Sequence, residues 1–165
     1  MDSFAFALKM ELDGKAYYEK LAEGTAEASL KKIFYSLAQD ELKHFETIQA
    51  MREHHEHKIV SMLDSEVLEE ARNVFQALLS EGKQSVQLSS DLAAYQHAMT
   101  MEAKSRKFYE DAAKQEKNPE AAKLLMRIAE EEKKHFNIMD NIYTFMLAPH
   151  HFLAWGEFSN LTEYY

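Results

Sequence analysis

Glu-x-x-His occurs twice in this sequence, at Glu41/His44 and Glu132/His135. Residues three apart share one face of a helix, so each pair can address a single point. With 21 Glu and 8 His in the chain, about one such pair arises by chance, and the weight falls on register. Glu11 stands 30 residues before Glu41, and Glu102 stands 30 before Glu132. The midpoints fall near residue 26, within Gly24–Ala28, and at residue 117, beside Asn118-Pro119. In antiparallel helices joined there, residues equidistant from the turn meet at one level, about 20 Å along at 1.5 Å per residue. Two such hairpins folded together bring four Glu and two His to a common interior level. Two adjacent divalent ions require such a set: carboxylates to neutralise four positive charges, and a neutral imidazole for each ion, with positions left open for substrate. Without metal the four carboxylates would be costly inside a bundle, and several would have to protonate. Any one of these residues alone reads as an ordinary helix-surface side chain. In matched register, Glu11, Glu41, His44, Glu102, Glu132 and His135 read as metal ligands.

The elements that must position them are long helices. Only 4 Gly and 2 Pro interrupt 165 residues, which leaves little room for tight turns or strands. Apolar residues at three-and-four spacing predict helices over 4–23, about 27–57, from residues 89–91 to about 117, and from Pro119 to about 147. Asn118 supplies a cap and Pro119 the first helical position. Shifting the chain by 91 residues lays Met10-Glu11 on Met101-Glu102, Tyr18-Glu19 on Tyr109-Glu110, and Ala38-x-x-Glu41-x-Lys43-His44-Phe45 on Ala129-x-x-Glu132-x-Lys134-His135-Phe136. Over positions 4–52 this gives 12 identities in 49, against roughly three or four from composition. The chain therefore reads as two helical hairpins, about 4–57 and 89–147, forming one domain over 1–149. A crossover at 58–88 joins them and carries a short helix from Asp64 or Ser65 to Leu79. Helices two and three must then run parallel. A tail over 150–165 bears Phe152, Trp155, Phe158, Tyr164 and Tyr165, residue types that pack on the bundle or on a partner subunit.

The combined motifs, Met-Glu11-x6-Tyr18, Glu41-x-x-His44, Met-Glu102-x6-Tyr109 and Glu132-x-x-His135, resemble those of the ferritin-like diiron carboxylate proteins. The nearest likeness is to rubrerythrin-type erythrin domains, and it covers roughly residues 4–147. The resemblance implies an all-α, ferritin-like four-helix bundle holding two Fe ions, for which Mn or Zn could substitute. It also implies reduction of hydrogen peroxide or dioxygen in oxidative-stress defence, and ferroxidase or iron-handling activity as the alternative within the family. In the family, phenols placed like Tyr18 and Tyr109 bond the ligand carboxylates and can supply an electron; core aromatics with satisfied hydroxyls are the other reading. Two features depart from the pattern. Ser105 stands where rubrerythrins usually carry a further Glu tied to peroxide-linked iron movement, and the chain has no Cys, hence no rubredoxin-like module. Any electron donor is then expected to be a separate protein, or else the protein mainly oxidises iron. Erythrin domains commonly dimerise, and with the aromatic tail this leads us to expect a homodimer. A structural interaction module with a vestigial metal site is the reading from a different class.

Composition narrows the classes further. With 19 basic against 28 acidic residues the net charge is −9, which argues against nucleic-acid binding. The mean hydropathy is −0.48 and apolar runs are short, so no membrane span is expected. Lys9, Glu11 and Asp13 break the first apolar stretch too early for a secretory signal. The absence of Cys fits a reducing compartment, and the expected location is the cytoplasm. His54, His55, His57, His150 and His151 read as solvated, Met10 and Met101 as packing residues, and His97 carries no assigned role. Gly14 and Ser105, one turn after Glu11 and Glu102, leave room for substrate or for close helix packing.

Overall fold

The computed structural model describes residues 3–53 and 92–147. They form four helices: α1 (Ser3–Glu23), α2 (Ala28–Arg52), α3 (Leu92–Gln115) and α4 (Pro119–Leu147). The predicted crossover, its short helix, the aromatic tail and His54, His55, His57, His150 and His151 lie outside the described residues. No described helix is long and apolar enough to cross a membrane.

Local chemistry sets the helix ends. The first turn closes when Gly24 and Thr25 donate their N–H groups to Lys20 and Ala22 carbonyls, both at 3.1 Å, and Thr25 Oγ1 donates to the Leu21 carbonyl at 2.7 Å. Glu27 caps α2 by accepting from the Ser29 N–H at 3.0 Å. At the second turn Asn118 Oδ1 accepts from the N–H groups of Glu120 (2.9 Å) and Ala121 (3.4 Å). These donors would otherwise be orphaned at the start of α4, and Pro119 has none to lose. α2 ends at Arg52, five residues short of the expected boundary, with Glu53 as its C-cap. α3 likewise stops at Gln115, because Glu116 turns to accept from the Asn118 N–H at 3.0 Å.

α1 pairs closely with α2, and α3 with α4, along their lengths, while the two hairpins approach each other with few close backbone contacts. Side chains fill the space between. They sort into two apolar layers. One gathers Tyr18, Leu21, Leu30, Phe34, Tyr95, Ile138 and Phe145 with their neighbours; the other gathers Ala7, Ile48, Met51, Tyr109, Leu125 and Ile128. The first layer draws on the N-terminal halves of both α2 and α3, so these helices run parallel as expected, and α1 is antiparallel to α3. Met10 and Met101 are half-buried against the two layers, as packing residues should be. Between the layers, each helix turns one stretch of polar residues inward.

Candidate metal centre

All six sequence-predicted ligands lie in that polar stretch, and none is more than 3 % exposed. α1 supplies Glu11, α2 Glu41 and His44, α3 Glu102, and α4 Glu132 and His135. Their ligand atoms fall into two overlapping groups, Glu11/Glu41/His44/Glu132 and Glu41/Glu102/Glu132/His135, each within 4.8 Å. Glu41 and Glu132 belong to both groups; Glu11 and Glu102 belong to one each. His44 Nδ1 lies 3.0 Å from Glu132 Oε1 and 3.4 Å from Glu11 Oε2. His135 Nδ1 lies 2.9 Å from Glu41 Oε1 and 3.4 Å from Glu102 Oε1. The two imidazoles stack, with centroids 5.6 Å apart and planes 19° from parallel.

Burial acts on every group here. It pushes the Glu41 carboxyl well above the usual range, and repulsion from Glu102 and Glu11 adds to it; Glu132 is raised likewise by burial and by Glu102, Glu41 and Glu11. For Glu11, burial also acts upward, but attraction to nearby His44 outweighs it, with Glu41 and the Tyr109 hydroxyl acting in the same sense, and the net shift is downward. Glu102 is lowered for parallel reasons, by Glu132, His135 and Tyr18 against burial. For His135 burial favours the neutral ring, yet Glu102 and hydrogen bonds to Asp40, Glu102 and Glu41 raise it well above 6.5. Protons on the two shared carboxyls thus do part of what cations would do: they remove negative charge from a dry interior.

Three carboxylate oxygens, Glu11 Oε2, Glu102 Oε2 and Glu132 Oε2, are fully buried with no hydrogen-bond partner. An orphaned buried acceptor is expensive. Three of them within two overlapping carboxylate–imidazole groups suit hard-to-borderline divalent cations with mixed O and N coordination.

Tyr18 and Tyr109 are fully buried and donate to carboxylates, but across the bundle. Tyr18 donates to Glu102 Oε1 and Tyr109 donates to Glu11 Oε1, each reaching the other hairpin. Both phenols titrate well above 10, because burial and then the accepting Glu disfavour the phenolate. They therefore hold their protons on these oxygens and leave the second oxygen of each carboxylate free. His97 is exposed, its ring 5.1 Å from that of Tyr17.

The sequence reading missed two buried acids, Asp40 and Glu131, which group with His135 within 4.8 Å. Asp40 Oδ2 lies 3.0 Å from His135 Nε2. Their signal was available, since each directly precedes a candidate ligand, at equivalent places in the repeat.

Gly14 and Ser105 face inward, both buried. A Cβ on Gly14 would sit 3.1 Å from Glu41 Oε2, so the glycine makes room for that carboxylate. Helix-interior Gly costs about 1 kcal/mol relative to Ala. Gly14→Ala is therefore expected to leave the metal-free melting temperature unchanged or higher, while weakening divalent-metal binding several-fold. Calorimetric melting and metal titration of the same sample check both. Unaltered metal affinity would contradict the placement of Glu41.

Four antiparallel-paired helices, two hairpins related by a repeat, and a carboxylate–histidine layer at mid-bundle define a ferritin-like four-helix protein. The family model described as Rubrerythrin matches residues 2–143, and the chain belongs to the rubrerythrin family. Comparison with curated proteins finds no match, and neither does comparison with solved structures.

Proposed function

We propose that this protein is a non-haem diiron oxidoreductase that reduces hydrogen peroxide or dioxygen with electrons from a separate donor protein. The observation that carries the reading is the pair of overlapping buried groups sharing Glu41 and Glu132, in a chain of the rubrerythrin family. In this reading Glu11 and His44 would hold one ion and Glu102 and His135 the other, with Glu41 and Glu132, which belong to both groups, available to each. Two iron ions there would supply the two electrons that, with two protons, convert peroxide to two waters. The chain's own contribution is positional and electrostatic. The apolar layers on either side exclude water, which strengthens every charge interaction within. Tyr18 and Tyr109 fix Glu102 and Glu11 by donating to one oxygen of each, so that the other faces the interior. Glu41 and Glu132 would give up their protons as cations bind, since cations and protons compete for the same carboxylate oxygens.

Ferroxidase or iron-handling activity is the second reading, and Ser105 favours it. The hydroxyl at that buried position offers no seventh carboxylate, leaving a symmetric six-residue set. A purely structural module has less support, since four buried carboxylates serve packing poorly. Anaerobic loading with iron(II), followed by rapid mixing with peroxide or with oxygen, separates the readings. The expected result is faster oxidation by peroxide than by oxygen, and repeated turnover once a reduced one-electron donor is added. Oxidation by oxygen alone, without turnover on donor addition, would select the ferroxidase. No oxidation by either would contradict both.

A further inference from the structure

The repeat predicts that the two halves of the centre are equivalent, and the structure shows where they are not. Each of the six ligands has a partner of the same type 91 positions away, but Asp40 corresponds to the longer Glu131. The two acids do not make equivalent contacts. Asp40 crosses from α2 to α4 and places Oδ2 3.0 Å from His135 Nε2. Symmetry would carry Glu131 across to His44. Instead it groups with Asp40 and His135 and forms an ion pair with Lys134 at 3.3 Å. Among the described residues no acceptor bonds His44 Nε2; its contacts to Glu132 and Glu11 are made through Nδ1.

From this asymmetry we infer that Asp40 is a positioning residue that makes the Glu102/His135 half the tighter of two unequal metal subsites. The inference rests on the metal-binding reading above. The 3.0 Å contact between Asp40 Oδ2 and His135 Nε2 fixes that edge of the ring. The Nδ1 edge is thereby left facing Glu41 (2.9 Å) and Glu102 (3.4 Å), where a cation would displace its proton. Lys43 lies 3.8 Å from the other oxygen, Asp40 Oδ1. A carboxylate behind a ligating imidazole fixes ring orientation and tautomer and raises ligand basicity, and losing it typically costs about 10–100-fold in metal affinity. The His135 ring is held at both nitrogens before any ion arrives. His44 is held at one, and must select its tautomer and orientation as the ion binds.

Cobalt(II) is a suitable probe, because its visible absorption reports ligand geometry as well as occupancy. Titration of the full-length, chelator-treated protein is expected to show two steps of unequal affinity, one ion each. His44→Ala should keep the tighter step and His135→Ala should lose it. Asp40→Ala should weaken the tighter step by about 10–100-fold and change its absorption, with the looser step little altered. Asp40→Asn, which retains a neutral acceptor, should fall between wild type and alanine. Glu131→Gln should leave the tighter step in place. Melting curves of the metal-free variants report folding, and if Asp40→Ala does not fold, a loss of several-fold in Asp40→Asn decides the matter. The inference is overturned by an unchanged tighter step in Asp40→Asn, or by its loss in His44→Ala instead of His135→Ala. It is also overturned by a third cobalt ion that disappears with Asp40. Equal steps in wild type would overturn the inequality while leaving the two-ion centre standing. No cobalt binding at all would overturn the metal reading itself.

Discussion

Adding divalent metal to the chelator-treated protein is expected to raise its melting temperature substantially, and Glu132→Ala is expected to lose most of that rise. A ligand that binds only the folded chain stabilises it by RT ln(1 + [L]/Kd), about 2.7 kcal/mol at a hundredfold excess over Kd. For a domain of this size that corresponds to roughly 5–10 °C. Glu132 belongs to both ligand groups, so its removal damages both subsites at once, which no other single ligand except Glu41 would do. The metal-free variant should melt within a few degrees of metal-free wild type. The lost side chain leaves a cavity, but it also removes a buried carboxyl crowded by Glu102, Glu41 and Glu11. Scanning calorimetry of both proteins with and without metal gives the four values needed. Equal metal-induced shifts in the two proteins would place the stabilising ion elsewhere.

Raising the pH is expected to destabilise the metal-free protein and not the metal-loaded one. Glu41 and Glu132 hold their protons more tightly when folded than at the ordinary value of 4.5. Above that value the folded chain binds more protons than the unfolded chain, so stability declines with rising pH, by about 1.4 kcal/mol per unit for each group until its folded pKa is passed. His135 acts in the same sense: its contribution is complete below 6.5 and disappears as pH climbs through its raised folded value. Glu11 and Glu102 act oppositely, because their lowered values add stability above 4.5 that is lost only as pH falls. The metal-free melting temperature should therefore fall between about pH 5 and 8. With metal present, cations compete with those protons and prefer the ionised carboxylates, so the slope should flatten or reverse. Melting curves across that range, with chelator and with metal, check the sign. A metal-free protein that gains stability toward pH 8 would contradict the electrostatic account.

The helices and the clustering of the six side chains were legible because both follow from one-dimensional rules. Apolar spacing marks the faces of α1 to α4, and equal 30-residue separations about two turns place Glu11 with Glu41 and Glu102 with Glu132. The partners of Tyr18 and Tyr109 were less accessible. Each phenol lies two turns, about 10 Å, from the Glu on its own helix. The carboxylate it reaches belongs to the other hairpin, and only hairpin-on-hairpin packing decides which. Asp40 was hidden for a related reason. It is adjacent to Glu41 and so points about 100° away around α2, a direction that means solvent or His135 depending on where α4 lies. The end of α2 was misplaced because the apolar stripe that anchors the helix stops at Met51, and Glu53 then caps it.

The most direct measurement is anomalous diffraction from crystals of the full-length protein loaded anaerobically with iron(II). The expected result is two anomalous peaks, about 3.5–4 Å apart as in two-metal sites, enclosed by Glu11, Glu41, His44, Glu102, Glu132 and His135. A single peak, or peaks outside this layer with the six side chains arranged as in the metal-free chain, would contradict it.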